Sequence, residues 1–134
     1  MNKLKWIFCI SLVSVCLLAA CGAVRNRIVL PDAGDVEKVT VTGGGISLAV
    51  EDAGEIAELL QRMGRARDTG GMSIHDRPLA EDVLQIDFEF LQGGTSVAFL
   101  YQERGKTLLE QPYQGIYRVD AELLDDLLEQ GETG

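Results

Sequence analysis

Ser73, His75 and Asp76 are the residue types of a hydrolase relay, in which a hydroxyl attacks, an imidazole takes its proton and a carboxylate orients the ring. Their spacing argues against that chemistry. Relay side chains meet head to head and usually come from separate loops, whereas these three fall within four consecutive positions, and the chain has no Gly-x-Ser-x-Gly elbow. Asp68-Thr69-Gly70 matches the short signature of aspartic proteases. That reaction needs two carboxylates in a buried site fed by an apolar strand, but Arg65-Ala66-Arg67 precedes this aspartate and Gly71 follows it. Metal chemistry finds no ordinary ligand set, because His75 is the single histidine and there is no Asp-x-Asp-x-Asp-Gly loop. Gly43, Gly44 and Gly45 are not followed by a lysine or a helix start, so they read as a hairpin turn rather than an anion cradle. The expectation is a non-enzymatic chain with no catalytic residues, cofactor or metal. A small hydrolase built on the Ser73 to Asp76 loop is the remote alternative.

Cys21 has a clearer chemical role. Residues 1–5 carry Lys3 and Lys5, residues 6–20 are apolar, and Leu18-Ala19-Ala20 leads directly into Cys21. A positive start, an apolar run and small residues before a cut are the order of a secretory signal. As a helix that run spans roughly 22 Å, short of the ~30 Å hydrocarbon core, so cleavage is a better reading than a permanent span. Leu-Ala-Ala-Cys resembles the bacterial lipobox, where the thiol takes a diacylglycerol and a peptidase cuts before the cysteine. Cys9 and Cys16 leave with the signal, so no disulfide can compete for Cys21. Two acyl chains anchor stably, since each buried CH₂ contributes roughly 0.8 kcal/mol. The organisation read from this is a lipoprotein signal peptide over 1–20, a lipidated tether over 21–31 and one domain over 32–130. The location expected is the extracytoplasmic face of the cell membrane, and Arg25 and Arg27 of the tether read either as contacts to anionic head groups or as plain solvated linker charges.

The formal charge of the 134-residue chain is −9. Lys3 and Lys5 depart with the signal, so ten of the 12 basic residues face 21 acids and the charge becomes −11. Such a surface repels phosphate backbones, and a nucleic-acid partner is excluded on that ground.

Period-2 and period-3.6 patterns supply the elements. Val39 and Val41 alternate with Thr40 and Thr42, the three glycines turn the chain, and Ile46, Leu48 and Val50 alternate again as a hairpin. Asp52 caps a helix whose Ile56, Leu59, Leu60 and Met63 share one face and which Gly64 ends. Arg62, Arg65 and Arg67 complement that helix's dipole. Residues 68–82 read as a loop. Leu84, Ile86, Phe88 and Phe90 mark a strand, Val97, Phe99 and Tyr101 the next, and 107–111 a third that Pro112 closes at an edge. Asp120 caps a last helix with Leu123, Leu124, Leu127 and Leu128 inward, Val119 as its staple, and Glu122, Asp125, Asp126 and Glu129 as a solvated face. The fold class expected is α+β: an antiparallel sheet of about five strands with two helices on one face, in the order ββ-α-βββ-α.

The distinctive stretch is Glu110-Gln-Pro-Tyr-Gln-Gly-Ile-Tyr117. Tyr113 and Tyr117 are amphipathic rings of the kind enriched at recognition surfaces, and they are the candidate binding residues; the alternative is a shaped crossover into the last helix. With Leu30-Pro31-Asp32, the strand Gln85 to Phe90 and Gly93-Gly94-Thr95-Ser96, this stretch resembles a domain-of-unknown-function family of small extracytoplasmic lipoproteins of Gram-positive bacteria. The resemblance implies an extracytoplasmic α+β domain and no catalytic residues. The expected function is a membrane-anchored module that binds a protein, peptide or cell-wall partner, or an accessory or sensor domain of a membrane complex. The address itself is testable. Cys21→Ser should abolish lipid labelling and leave the domain folded; mass spectrometry showing an unmodified Cys21 in the mature protein would overturn it.

Overall fold

The computed structural model describes residues 27–134; the signal expected over 1–20, Cys21 and most of the connector expected to follow it lie outside the described residues. A hairpin of β1 (Val36–Gly43) and β2 (Ile46–Val50) leads into α1 (Ala53–Gly64) and a short β3 (Arg67–Gly71). Then follow β4 (Leu84–Phe90), β5 (Thr95–Glu103), β6 (Lys106–Gln111), β7 (Gly115–Arg118) and α2 (Ala121–Thr133). All pairings are antiparallel, and the strands form one sheet in the order β2-β1-β4-β5-β6-β7-β3.

The local reasons are those of the sequence. Gly44 (φ 58°) and Gly45 (φ 83°) both take positive φ, the type I′ turn whose twist matches paired strands. The Asp52 carboxylate accepts from the Glu55 amide at 3.0 Å, and Asp120 accepts from the Glu122 amide at 3.4 Å, so both helices begin where a capping side chain meets the first free N–H groups. Ile56, Leu59, Leu60 and Met63 of α1 and Leu123, Leu124 and Leu127 of α2 enter one core with Val39, Val41, Leu84, Ile86, Phe88, Leu100 and Leu109. Both helices therefore cover the same sheet face. Arg62 of α1 also reaches Asp126 of α2 at 2.8 Å, so one arginine of the dipole cluster ties the helices together. Both groups are partly exposed, which limits the pair to about 0–1 kcal/mol.

Seven strands replace the expected five. β3, with the sequence Arg-Asp-Thr-Gly-Gly, has no apolar alternation, and it is a strand because β7 offers a free edge to pair with. That places Asp68-Thr69-Gly70 on a sheet edge rather than in a loop. β7 is only four residues, and the crossover expected there is this strand. Consequently β6 is interior and Pro112 sits in the turn between β6 and β7, not at a sheet edge. The domain also starts earlier than the tether boundary at 31. Ile28 belongs to the helix-side core, Leu30 packs against it, and Gln111 donates from Nε2 to the Val29 carbonyl at 2.7 Å.

Gly131 lets α2 lie on β2, because a Cβ there would stand 2.6 Å from Ile46 Cβ. Ala normally gains about 1 kcal/mol over Gly in a helix, while overpacking costs about 1–3 kcal/mol. Gly131→Ala is therefore expected to lower stability in urea unfolding, against its helix propensity. A more stable variant would show that α2 does not press on Ile46.

Candidate functional site

β5 and β6 are apolar on both sides. Leu100 and Leu109 point to the helices, while Phe99, Tyr101 and Leu108 point the other way and form a second buried cluster with Val83. A sheet with two apolar faces needs two covers. The second cover is the irregular segment 72–83, which returns across the sheet between β3 and β4 with Pro78 and Val83 buried and Ala80 packed in. We call this segment the strap.

Strand alternation puts Glu110 on that second face, in register between Phe99 of β5 and Ile116 of β7. It is only 5% exposed, so its carboxylate needs donors inside the protein. Ser73 of the strap donates to Oε1 at 2.6 Å and Tyr101 donates to Oε2 at 2.8 Å. Burial, then the bond to Glu110 and its charge, push the Tyr101 phenol well above its ordinary value. Further along, the Arg77 guanidinium lies 5.7 Å from the Phe99 ring centre, and the Tyr113 hydroxyl donates to Asp76. That bond, followed by desolvation and the Asp76 charge, raises the Tyr113 phenol. The strap's approach is fixed by Thr69, whose hydroxyl donates to the Ile116 carbonyl at 2.6 Å.

The two candidate tyrosines separate. Tyr113 stands at 65% exposure in the β6–β7 turn, in the left-handed region at φ 60°, a conformation that strains an aromatic residue unless its surroundings hold it. Tyr117 is 4% exposed among the helix-side residues, where burial and then Asp68 raise its phenol. The rings lie on opposite sides of the sheet and do not form one surface. Ser73, His75 and Asp76 are not joined as a relay either: the serine hydroxyl is committed to Glu110, Asp76 serves Tyr113, and His75 is exposed.

The strap that Tyr113 holds through Asp76 turns apolar side chains outward. Met72 (73% exposed), Ile74 (68%) and Leu79 (85%) alternate with the buried Ser73 and Pro78. The arrangement is a pinned irregular segment whose polar side chains hold it down and whose apolar ones face solvent. Sequence reasoning passed over these residues because 68–82 has no period. The continuous apolar run from Val97 to Tyr101 was the signal that both sheet faces are covered. A concavity of about 380 Å³ lies between the helices and is lined by Leu59, Arg62, Leu123 and Leu127 among others. Among the described residues, no group of three or more His, Cys, Asp or Glu side chains is placed to hold a metal ion. No described helix is long and apolar enough to cross a membrane.

Fold and site together define an antiparallel α+β domain with helices on one face and a strap on the other. The chain belongs to the DUF5301 family, described as a domain of unknown function (DUF5300), which it matches over residues 24–118. That span includes the strap, Glu110 and Tyr113, and ends before α2. A solved structure, the NMR structure of the protein from Ruminococcus gnavus, is similar at 29% identity and a TM-score of 0.64, covering 73% of this chain and 99% of that one. No match was found among proteins of curated function.

Two measurements test the Glu110 hub. Ser73→Ala leaves a buried carboxylate oxygen one donor short and is expected to cost about 1–3 kcal/mol. Amide exchange in 72–83 should accelerate more than exchange in β4; equal acceleration would show that Ser73 does not hold the strap. Tyr101 gives the pH sign. A phenol raised in the fold contributes stability that is complete below the unfolded value near 10 and is lost as pH rises from there through the raised folded value. Urea stability should therefore fall above about pH 10, with a shallower fall in Tyr101→Phe.

Proposed function

We propose that the chain is a lipid-anchored, extracytoplasmic, non-enzymatic module that binds a protein partner through the strap and Tyr113. One observation carries this reading: Met72, Ile74 and Leu79 of a segment pinned at Ser73 and Asp76, and Tyr113 of the turn that holds Asp76, are all at least 65% exposed. Large apolar side chains held rigidly in water lose little further freedom on binding, and tyrosine beside aliphatic groups is the composition of interface centres. Glu110, Gln111 and Tyr117 of the distinctive stretch act inside the protein, so Tyr113 is its contribution to the surface.

The tether supports a partner that is itself close to the membrane. With Ile28 in the core, residues 22–27 separate Cys21 from the fold, a reach of at most about 25 Å. This favours the accessory or sensor reading over a freely ranging binder. Arg25 and Arg27 fall in this short connector, and their charge would favour anionic head groups while the acidic domain is repelled from them.

A photoreactive residue replacing Leu79 in intact cells tests the surface, with the same residue at Glu129 of α2 as control. The expected result is a discrete protein adduct from position 79, absent from 129, and reduced about tenfold by Tyr113→Ser, as for an interface tyrosine worth about 1.4 kcal/mol or more. No adduct at 79, an adduct insensitive to Tyr113→Ser, or an adduct to wall polymer alone would each overturn the protein-partner assignment.

A further inference from the structure

The two edges of the sheet differ. β3 at one edge carries Arg67 and Asp68, and its register slips between Asp68 and Gly71, so charge and irregularity discourage a further strand there. β2 at the other edge reads Ile-Ser-Leu-Ala-Val, with no charge, no proline and an unbroken register of five pairs with β1. Such an edge is a template for another strand.

The turn dictates which groups it offers. A two-residue type I′ turn makes Gly43 and Ile46 a hydrogen-bonded pair, so Ile46, Leu48 and Val50 bond inward to β1. The N–H and C=O groups of Ser47 and Ala49 then point away from the sheet. Both of these side chains are small and exposed, and they obstruct nothing.

We propose that β2 pairs with β2 of a second copy of this chain, antiparallel about a two-fold axis at Leu48, joining two seven-stranded sheets. The segment is self-complementary in that register. Leu48 meets the partner copy's equivalent residue in a non-hydrogen-bonded pair. Ser47 lies opposite the other copy's position 49, giving four backbone hydrogen bonds across the axis. Ile46 lies opposite position 50, which keeps apolar side chains on the helix-covered side. Glu51 and Asp52 fall opposite the Gly45 and Gly44 positions of the other copy, so no like charges stand face to face along the strand. The acidic surface as a whole opposes association, so salt tightens the dimer by screening. None of these residues belongs to the strap surface, and the two proposals fail independently.

Disulfide trapping in the full chain tests the pairing. Leu48→Cys places two thiols opposite each other at a spacing a disulfide can bridge. The expected result is a reducible dimer formed in intact cells, at least tenfold above the unsubstituted chain, which contains Cys9, Cys16 and Cys21 but no thiol on β2. Adding Ala49→Pro removes an outward N–H without touching the β1 ladder and should abolish the dimer. Ser47→Lys, which puts a charge on the edge and carries no proline, should do the same. A dimer that persists in both double variants, no dimer above the unsubstituted chain, or trapping of β2 to a different protein instead would each overturn the proposal. In purified protein, the Ser47 and Ala49 amides should exchange more slowly as concentration rises; exchange independent of concentration up to saturation would also overturn it.

Discussion

A carboxylate on the second face of this sheet, set between Phe99 and Ile116, must be given donors or be hydrated. Hydration would open the apolar cluster around it, and an unpaired buried charge is among the costliest groups a fold can hold. Glu110 is instead served by Ser73 and Tyr101, one from the strap and one from the neighbouring strand. The bond to Ser73 joins residues 37 apart in sequence and fixes an otherwise irregular segment over Val83, Phe99, Tyr101 and Leu108. The strap, the second cluster and the position of Tyr113 all follow from this requirement.

The distinctive stretch from Glu110 to Tyr117 is then a set of clamps. Alternation sends Glu110 to the strap side and Gln111 to the opposite side, where it holds the Val29 carbonyl. Gly115 is glycine because a Cβ would crowd the Tyr117 ring at 3.0–3.2 Å, and Tyr117 fills the helix-side core. Only Tyr113 is turned out, in a left-handed conformation that its bond to Asp76 helps to hold. Rigidity is the functional consequence. A surface whose side chains are displayed by a pinned backbone binds with less entropic loss than a free loop of the same composition.

Membrane anchoring and edge pairing are coherent with that picture. Under the proposed lipid anchoring, a tether of about six residues between Cys21 and Ile28 would confine the domain to a thin layer over the bilayer, where it would meet other copies and neighbouring membrane proteins often. The strap and β2 occupy opposite parts of the molecule in the strand order, since the strap's anchors lie on β5, β6 and the β6–β7 turn whereas β2 is the far edge. One surface can be occupied without covering the other.

Much of the framework was legible in the chain because it rests on local rules. Asp52 and Asp120 cap helices wherever an aspartate precedes an amphipathic run, the paired glycines turn a hairpin, and the 2.0 and 3.6 periods identify β1, β2, β4, β5, β6 and both helices with their inward faces. The α+β class and the placement of both helices on one face follow from those patterns. β3 and β7 were not legible, because the polar and glycine residues of β3 and the four-residue Gly-Ile-Tyr-Arg of β7 become strands only when a neighbour offers unpaired backbone groups. Nor did the chain reveal that Tyr113 and Tyr117 would part, since that depends on the turn at Tyr113 and on β7 placing Tyr117 inward. Glu110 shows the difference most clearly. Its type and position could be read directly, but its role came from Ser73 and Tyr101, and long-range hydrogen bonds leave no period in a sequence.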